Sequence, residues 1–181
     1  MIILMGKTCS GKDTIARELE KRGYVRHRTY TTRLRRPGEP DDAYNFVSEP
    51  VFLDMIGHDE FMEYKVYHTA FGDWYYGSVW PGVNHSDNKN FMILTPQGYI
   101  DCRDKLPDGS VCVFVYADLY TIRKRLKERG DDEDEAERRI IHDNDDFKNA
   151  TFLADIVIDN SAGRSVDEVV DTLEKSYRLN N

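Results

Sequence analysis

Apolar positions along the chain fall into short continuous runs separated by amphipathic stretches. Ile2-Ile3-Leu4-Met5, Phe91 to Leu94, Val111 to Tyr116 and Ile156-Val157-Ile158 are runs of the kind that fills a parallel strand buried on both faces. Between and after them lie helical stretches from Thr14 to Arg22, closed by Gly23, from Gln97 to Lys105, from Asp118 onward and from Val166 to Leu179. The acidic run Asp131-Asp132-Glu133-Asp134-Glu135 begins a further helix, where its charges complement the helix dipole and read as a solvated helix start. Strand and helix alternate throughout, which predicts an α/β fold with a parallel sheet core covered by helices on both faces.

Residues 24–79 have a different texture. Tyr24 to Tyr30 predicts a strand leading into Thr31-Thr32-Arg33-Leu34-Arg35-Arg36-Pro37-Gly38-Glu39, where Pro37, Gly38 and Pro40 exclude regular structure and leave a loop presenting arginines. Tyr44 to Ser48 alternates like a strand, and Ser48 then caps a short helix over Glu49 to Ile56. Phe61 to Tyr64, Val66-Tyr67 and Trp74 to Val79 are strand-like and rich in aromatics. Together they predict a small mixed α/β subdomain of about fifty residues inserted into the core.

The chain has 181 residues, enough for one well-buried core and cramped for two. With 33 acidic against 25 basic residues its formal charge is -8, which disfavours a general nucleic-acid or membrane-surface binder. Two local concentrations of basic residues, Arg26 to Arg36 and Arg123 to Arg139, point instead to small anionic substrates held in a cleft. Cys9, Cys102 and Cys112 are odd in number and lack metal-ligand spacing, as expected of reduced thiols in a cytoplasmic protein. No apolar stretch is long enough for a signal peptide or a membrane span.

The first apolar run ends in Gly6-Lys7-Thr8-Cys9-Ser10-Gly11-Lys12-Asp13, the G-x-x-x-x-G-K core of a P-loop, with Asp13 where Ser or Thr is usual and Thr14 following. Glycines let such a loop wrap a polyphosphate, its N–H groups face the anion, and Lys12 brings a cation to the transferred phosphate. Gly6 to Thr14 are thus the candidate ATP-binding residues.

The stretch TTRLRRPGEPDDAYNFVS, followed by EFMEY, YYGS and RKRLKERG, resembles the guanylate kinase family, in the right order over nearly the whole chain. The resemblance implies one P-loop kinase domain over residues 1–181. Its core would be 1–30, 80–122 and 150–181, its monophosphate-binding subdomain 31–79 and its helical lid 123–149. It further implies transfer of the terminal phosphate of ATP, with magnesium, to GMP or dGMP.

By motif, Arg33 and Arg36 match arginines that grip the acceptor phosphate, helped by the hydroxyls of Tyr44 and Tyr76. Glu63 matches the carboxylate that reads guanine, and Ser78 the hydroxyl beside it. Arg125, Arg129 and Arg139 match lid arginines, while Asp159 and Asn160 fall where the family contacts adenine. Lys12, Arg33, Arg36, Arg125 and Arg139 are the implied catalytic residues.

Three departures stand out: Asp13 in the P-loop, Ile93 and Thr95 where the family shows two aspartates, and extra residues around His68 to Asp73. Asp13 either helps hold magnesium or caps the helix, and Thr95 takes a hydroxyl role near the acceptor. A related kinase of ribose 1,5-bisphosphate also tends to read G-K-D, so a sugar-phosphate acceptor is the alternative. A non-catalytic interaction domain is disfavoured by the presence of Lys12.

Overall fold

The structure is a computed structural model that describes residues 1–36, 38–69, 72–79, 89–161 and 163–179. Pro37 of the arginine loop, and Ala70 and Phe71 of the extra residues, lie outside these ranges, as does 80–88, where the core was expected to resume.

Five parallel strands form the core sheet: β1 (Ile2–Met5), β2 (Val25–His27), β7 (Asn90–Ile93), β8 (Val111–Tyr116) and β9 (Ile156–Asp159), in the order β2-β7-β1-β8-β9. All four residues of β1 are fully buried, because β1 is the central strand and both its faces are covered. Ile2 and Leu4 face α1 (Lys12–Lys21) and α7 (Val166–Leu179), meeting Ile15, Leu19, Val169 and Leu173. Ile3 and Met5 face the other way, toward Cys102 of α3 (Pro96–Cys102) and Ala150 of α6 (Ala150–Leu153). Helices on both faces of a parallel sheet are what the apolar runs predicted.

The inserted segment builds a second sheet, in the order β4-β3-β6-β5, from β3 (Tyr30–Thr31), β4 (Asn45–Phe46), β5 (Phe61–Thr69) and β6 (Gly72–Val79). It packs on α2 (Glu49–Gly57) through Phe52, Met55 and Phe61, with the Phe52 and Phe61 rings stacked 4.4 Å apart. Along β5 and β6 a cross-strand register pairs Glu63 with Ser78, Lys65 with Tyr76 and Tyr67 with Trp74. Residues 123–149, expected as the lid, fall on α4 (Leu119–Arg129), on α5 (Glu133–Asp146) and on the turns that follow each.

Four local expectations are corrected. Tyr24 to Tyr30 is not one strand: β2 pairs with β7 in the core sheet, the backbone then leaves it, and β3 pairs with β6 in the other. Gln97 to Lys105 is α3 plus a single 3-10 turn at Arg103–Lys105, since Leu106 is extended ahead of Pro107. Ser48 stands at the N-cap position of α2 but makes no capping hydrogen bond. The lid boundary placed at 123 falls inside α4, whose Ile122 and Leu126 are buried against Ala117 and Ile140.

Candidate active site

The P-loop joins β1 to α1. Its two glycines are required by space and backbone: a Cβ on Gly6 would stand 2.7 Å from the Val115 carbonyl oxygen, and Gly11 has φ of 100° with the Asn160 amide 2.1 Å from where its Cβ would be. Lys12 folds back over the loop and donates to the carbonyls of Gly6 (2.5 Å) and Lys7 (2.8 Å). Burial pushes its ammonium below the usual lysine range, with Asp13 and Asp143 pulling the other way. Ser10 Oγ, also in this loop, is the one fully buried side-chain polar atom without a partner among the described residues.

A cavity of about 390 Å³ opens beside the loop, at the C-terminal ends of β1, β2 and β7. Gly6, Thr8, Cys9, Lys12 and Asp13 line it from the P-loop and the start of α1, Glu63 and Tyr76 from β5 and β6, and Arg129 and Arg139 from α4 and α5. Glu63, Lys65 and Tyr67 reach it from β5 because alternate residues share a strand face.

Glu63 is half-buried and hydrogen-bonded to Ser78, directly across the ladder. Burial raises its pKa above the usual carboxylate range, Asp101 adds to the rise, and the bonds from Ser78 oppose it. Ser78 itself is 1% exposed and lies 3.5 Å from the Thr29 hydroxyl. Arg36 faces the cavity, and among the described residues its guanidinium has no hydrogen-bond or ion-pair partner. Desolvation and the like charges of Arg33 and Arg139 lower its pKa. Tyr44 lines the same wall, and burial pushes its hydroxyl up to about 12.

Arg33, expected at the acceptor phosphate, is instead held behind the wall. It is 3% exposed, makes a bidentate pair with Glu39 of its own loop (2.7 and 3.0 Å) and donates to Leu34 O and Tyr76 Oη. The rings of Tyr44 and Phe46 cover it. A carboxylate six residues away meets its fork geometry without a ligand, so Arg33 braces the loop and reaches the cavity through Tyr76.

Arg125 and Asn160 are likewise withdrawn. Arg125 donates to the carbonyls of Cys9 (3.1 Å) and Asn160 (2.8 Å), and the Asn160 amide donates to Ser10 O at 2.7 Å, so the pair clamps the P-loop from behind. Thr95 lines the cavity, but its hydroxyl oxygen caps α3 by accepting from Gly98 N.

The acidic run is more than a solvated helix start. Asp132 caps α5, while Asp131 pairs with Arg129 and Arg139, and Glu135 with Arg138 and Arg139. Those partners lower the Asp131 carboxyl and take Glu135 down to about 2.

Several residues of the site went unread in the sequence. Asp143 of α5 accepts from Thr8 N at 2.5 Å, Asn144 accepts from Lys7 Nζ at 2.6 Å, and Asp146 lies 3.5 Å from Lys65 Nζ. Their acidic spacing on α5 was the available signal, because residues three apart share a helix face. Arg26, seen only as one of a cluster, proves to line the cavity.

Among the described residues, Asp13 is the cavity carboxylate that adjoins Lys12 in the P-loop. Asp13 is open to solvent, with Oδ1 3.3 Å from Arg26 Nη2 and Oδ2 unpaired, whereas Thr14 is exposed on α1. Among the described residues no group of three or more His, Cys, Asp and Glu side chains could hold a metal alone. One carboxylate plus substrate phosphates is a set that magnesium accepts, so Asp13 fits.

Comparison with known proteins bears on all of this. A family model described as Guanylate kinase matches residues 1–178. A guanylate kinase of Prochlorococcus marinus is 29% identical over 177 residues, 94% of each chain. One from Latilactobacillus sakei is 29% identical, over 98% of this chain and 89% of that one. Among solved structures, the guanylate kinase of Anaplasma phagocytophilum superposes with a TM-score of 0.66 at 23% identity, covering 99% of this chain and 84% of that one.

Proposed function

The chain belongs to the guanylate kinase family of nucleoside monophosphate kinases, and on that premise we propose that it transfers the terminal phosphate of ATP to GMP or dGMP. The observation that carries the choice of acceptor is Glu63, a carboxylate in the cavity wall anchored by Ser78 and, among the described residues, paired with no basic side chain. Guanine presents N1–H and an exocyclic amine side by side; one ionised carboxylate accepts both, and adenine offers no such pair.

Transfer here is positioning and charge stabilisation, with no covalent intermediate. Lys12 and the P-loop N–H groups hold the donor phosphates, and Arg36 with the Tyr44 and Tyr76 hydroxyls holds the acceptor phosphate. Arg129 and Arg139 exchange Asp131 and Glu135 for the transferring group as α5 closes on substrate. Arg33, Arg125 and Asn160 act by bracing these elements. Asp13 is the residue that would hold magnesium bound with ATP, which would supply neutralisation of the phosphate charge. Thr95 keeps its hydroxyl hydrogen free to donate toward the acceptor.

Cys9, Cys102 and Cys112 are free thiols, which suits a cytoplasmic enzyme. Among the described residues no helix is long and apolar enough to cross a membrane.

A coupled ADP-release assay with ATP against GMP, dGMP, AMP, CMP, UMP and ribose 1,5-bisphosphate tests the reading. GMP or dGMP is expected to give the highest kcat/KM. A clear preference for the bisphosphate moves the assignment to a sugar-phosphate kinase, the acceptor that Ile93 and Thr95 in place of carboxylates would favour.

A further inference from the structure

We propose that Arg26 is a further substrate-binding residue, a guanidinium set between the donor and acceptor phosphates to hold the phosphoryl group in transit. The inference rests on the kinase reading above and adds a residue that the family motifs do not supply.

Arg26 sits in β2 with its side chain 9% exposed, and that exposure is to the cavity. Its hydrogen bonds all leave from one nitrogen: Nη2 donates to Asp13 Oδ1 at 3.3 Å and to Ala43 O at 3.4 Å. Nε and Nη1 have no partner among the described residues. Withdrawing a guanidinium from water and leaving most of its five donors unused is costly. Ser10 Oγ is the one fully buried orphan among the described residues, so the Arg26 donors are not sealed in the core and open where the side chain does.

Its two contacts also locate it. Asp13 adjoins Lys12 on the donor side, and Ala43 adjoins Tyr44 on the acceptor side, so the guanidinium spans the gap that the phosphoryl group must cross. Arg33 and Arg125 spend their donors on protein carbonyls and carboxylates, whereas among the described residues Arg26 commits only Nη2 and the Arg36 guanidinium commits none. With Ile93 and Thr95 in place of two aspartates, no carboxylate at those positions competes for the Arg26 charge.

In the transfer, the P–O bond to ADP breaks as a P–O bond to an acceptor phosphate oxygen forms. Negative charge spreads over three equatorial oxygens, and a guanidinium fork can donate to two of them. Arg26 stays protonated throughout and exchanges no proton. Asp13 Oδ1 accepts from Nη2, a contact that the amide oxygen of an asparagine there can keep, and Nε and Nη1 are left for the gap.

The test is a double-mutant cycle at saturating magnesium with Arg26→Gln, Asp13→Asn and the pair, read as kcat and acceptor KM, with calorimetric binding of inorganic pyrophosphate on the same proteins. Arg26→Gln should lower kcat about 100-fold with a few-fold change in acceptor KM, equally in the parent and in the Asp13→Asn protein, and weaken pyrophosphate binding about tenfold. Arg26→Lys keeps charge without the fork and should recover part of kcat, which also guards against a misfolded glutamine variant. Loss of the effect once Asp13→Asn is already in place would reduce Arg26 to a neutraliser of Asp13 and overturn the proposal. Unchanged kcat and pyrophosphate affinity would overturn it as well. If the parent protein phosphorylates no acceptor, the kinase reading fails, and pyrophosphate binding still decides whether Arg26 holds phosphate.

Discussion

Across the cavity, the P-loop with α4 and α5 on one side and the wall that carries Glu63 and Arg36 on the other hold their charged groups in different ways. On the donor side nearly every charged or polar group is occupied by the protein: Lys12 by two loop carbonyls, Lys7 by Asn144, Thr8 N–H by Asp143, and Arg129 and Arg139 by Asp131 and Glu135. On the opposite wall, among the described residues, the Arg36 guanidinium has no partner, Arg26 uses one nitrogen, and Glu63 is bonded to Ser78 alone. Asp143 and Glu135, both on α5, supply carboxylates to the P-loop and to Arg139. Glu63 stands on a four-stranded sheet packed on Phe52 and Phe61 and cannot move to a partner on another element, whereas Arg26 is fixed on β2 of the core sheet and Arg36 on the loop between β3 and β4.

The most damaging way to break this comparison is at its donor side. Lys12→Met should cost about 10³-fold in kcat while thermal unfolding changes little, because the lysine braces carbonyls that water can also satisfy. Steady-state kinetics beside a melting curve checks both. Next comes Arg36→Ala on the acceptor side. Loss of charge-assisted bonds worth about 1.5–3 kcal/mol should raise acceptor KM roughly ten- to hundredfold and leave ATP KM unmoved; a rise confined to ATP KM would exchange the two sides.

Glu63→Gln is expected to lower kcat/KM for GMP by about tenfold to a hundredfold. It also sharpens the comparison through pH. Because burial raises the Glu63 pKa, the folded protein binds more protons there than the unfolded chain between the ordinary and raised values. Stability contributed by this group is therefore full below the ordinary glutamate pKa and declines as pH rises through the raised one. The glutamine variant should melt higher than the parent near neutral pH, with the advantage vanishing in acid. Activity of the parent runs the opposite way, falling as pH drops through that same pKa, since only the carboxylate accepts both guanine donors. A variant equally active and equally stable across this range would remove Glu63 from the site.

The smallest effect belongs to the lid. Asp143 occupies the Thr8 N–H that a donor phosphate would use, so Asp143→Ala should lower ATP KM about fivefold, the worth of about 1 kcal/mol. An increase would show instead that Asp143 helps closure.

The apolar runs of β1, β7 and β8 determined the centre of the core sheet without help from the rest of the chain, because a strand buried on both faces must be apolar at every position; β9, expected to be of the same kind, is an edge strand with Val157 exposed. Glycine spacing determined the P-loop, since Gly6 and Gly11 answer to local backbone geometry and close approach. Glu63 and Arg36 were legible because their motifs name positions on elements that the local pattern had already placed. Other features were decided only when the elements packed. Arg33 turned to Glu39, Arg125 and Asn160 clamped the loop from behind, and the strand expected over Tyr24 to Tyr30 divided between two sheets. Asp143 reached Thr8 across 135 positions of sequence, and Arg26 reached both Asp13 and Ala43. The physical reason is common to these cases. Burial of an apolar side chain depends on the pattern of its own element, whereas the partner of a charge depends on what another element brings opposite it.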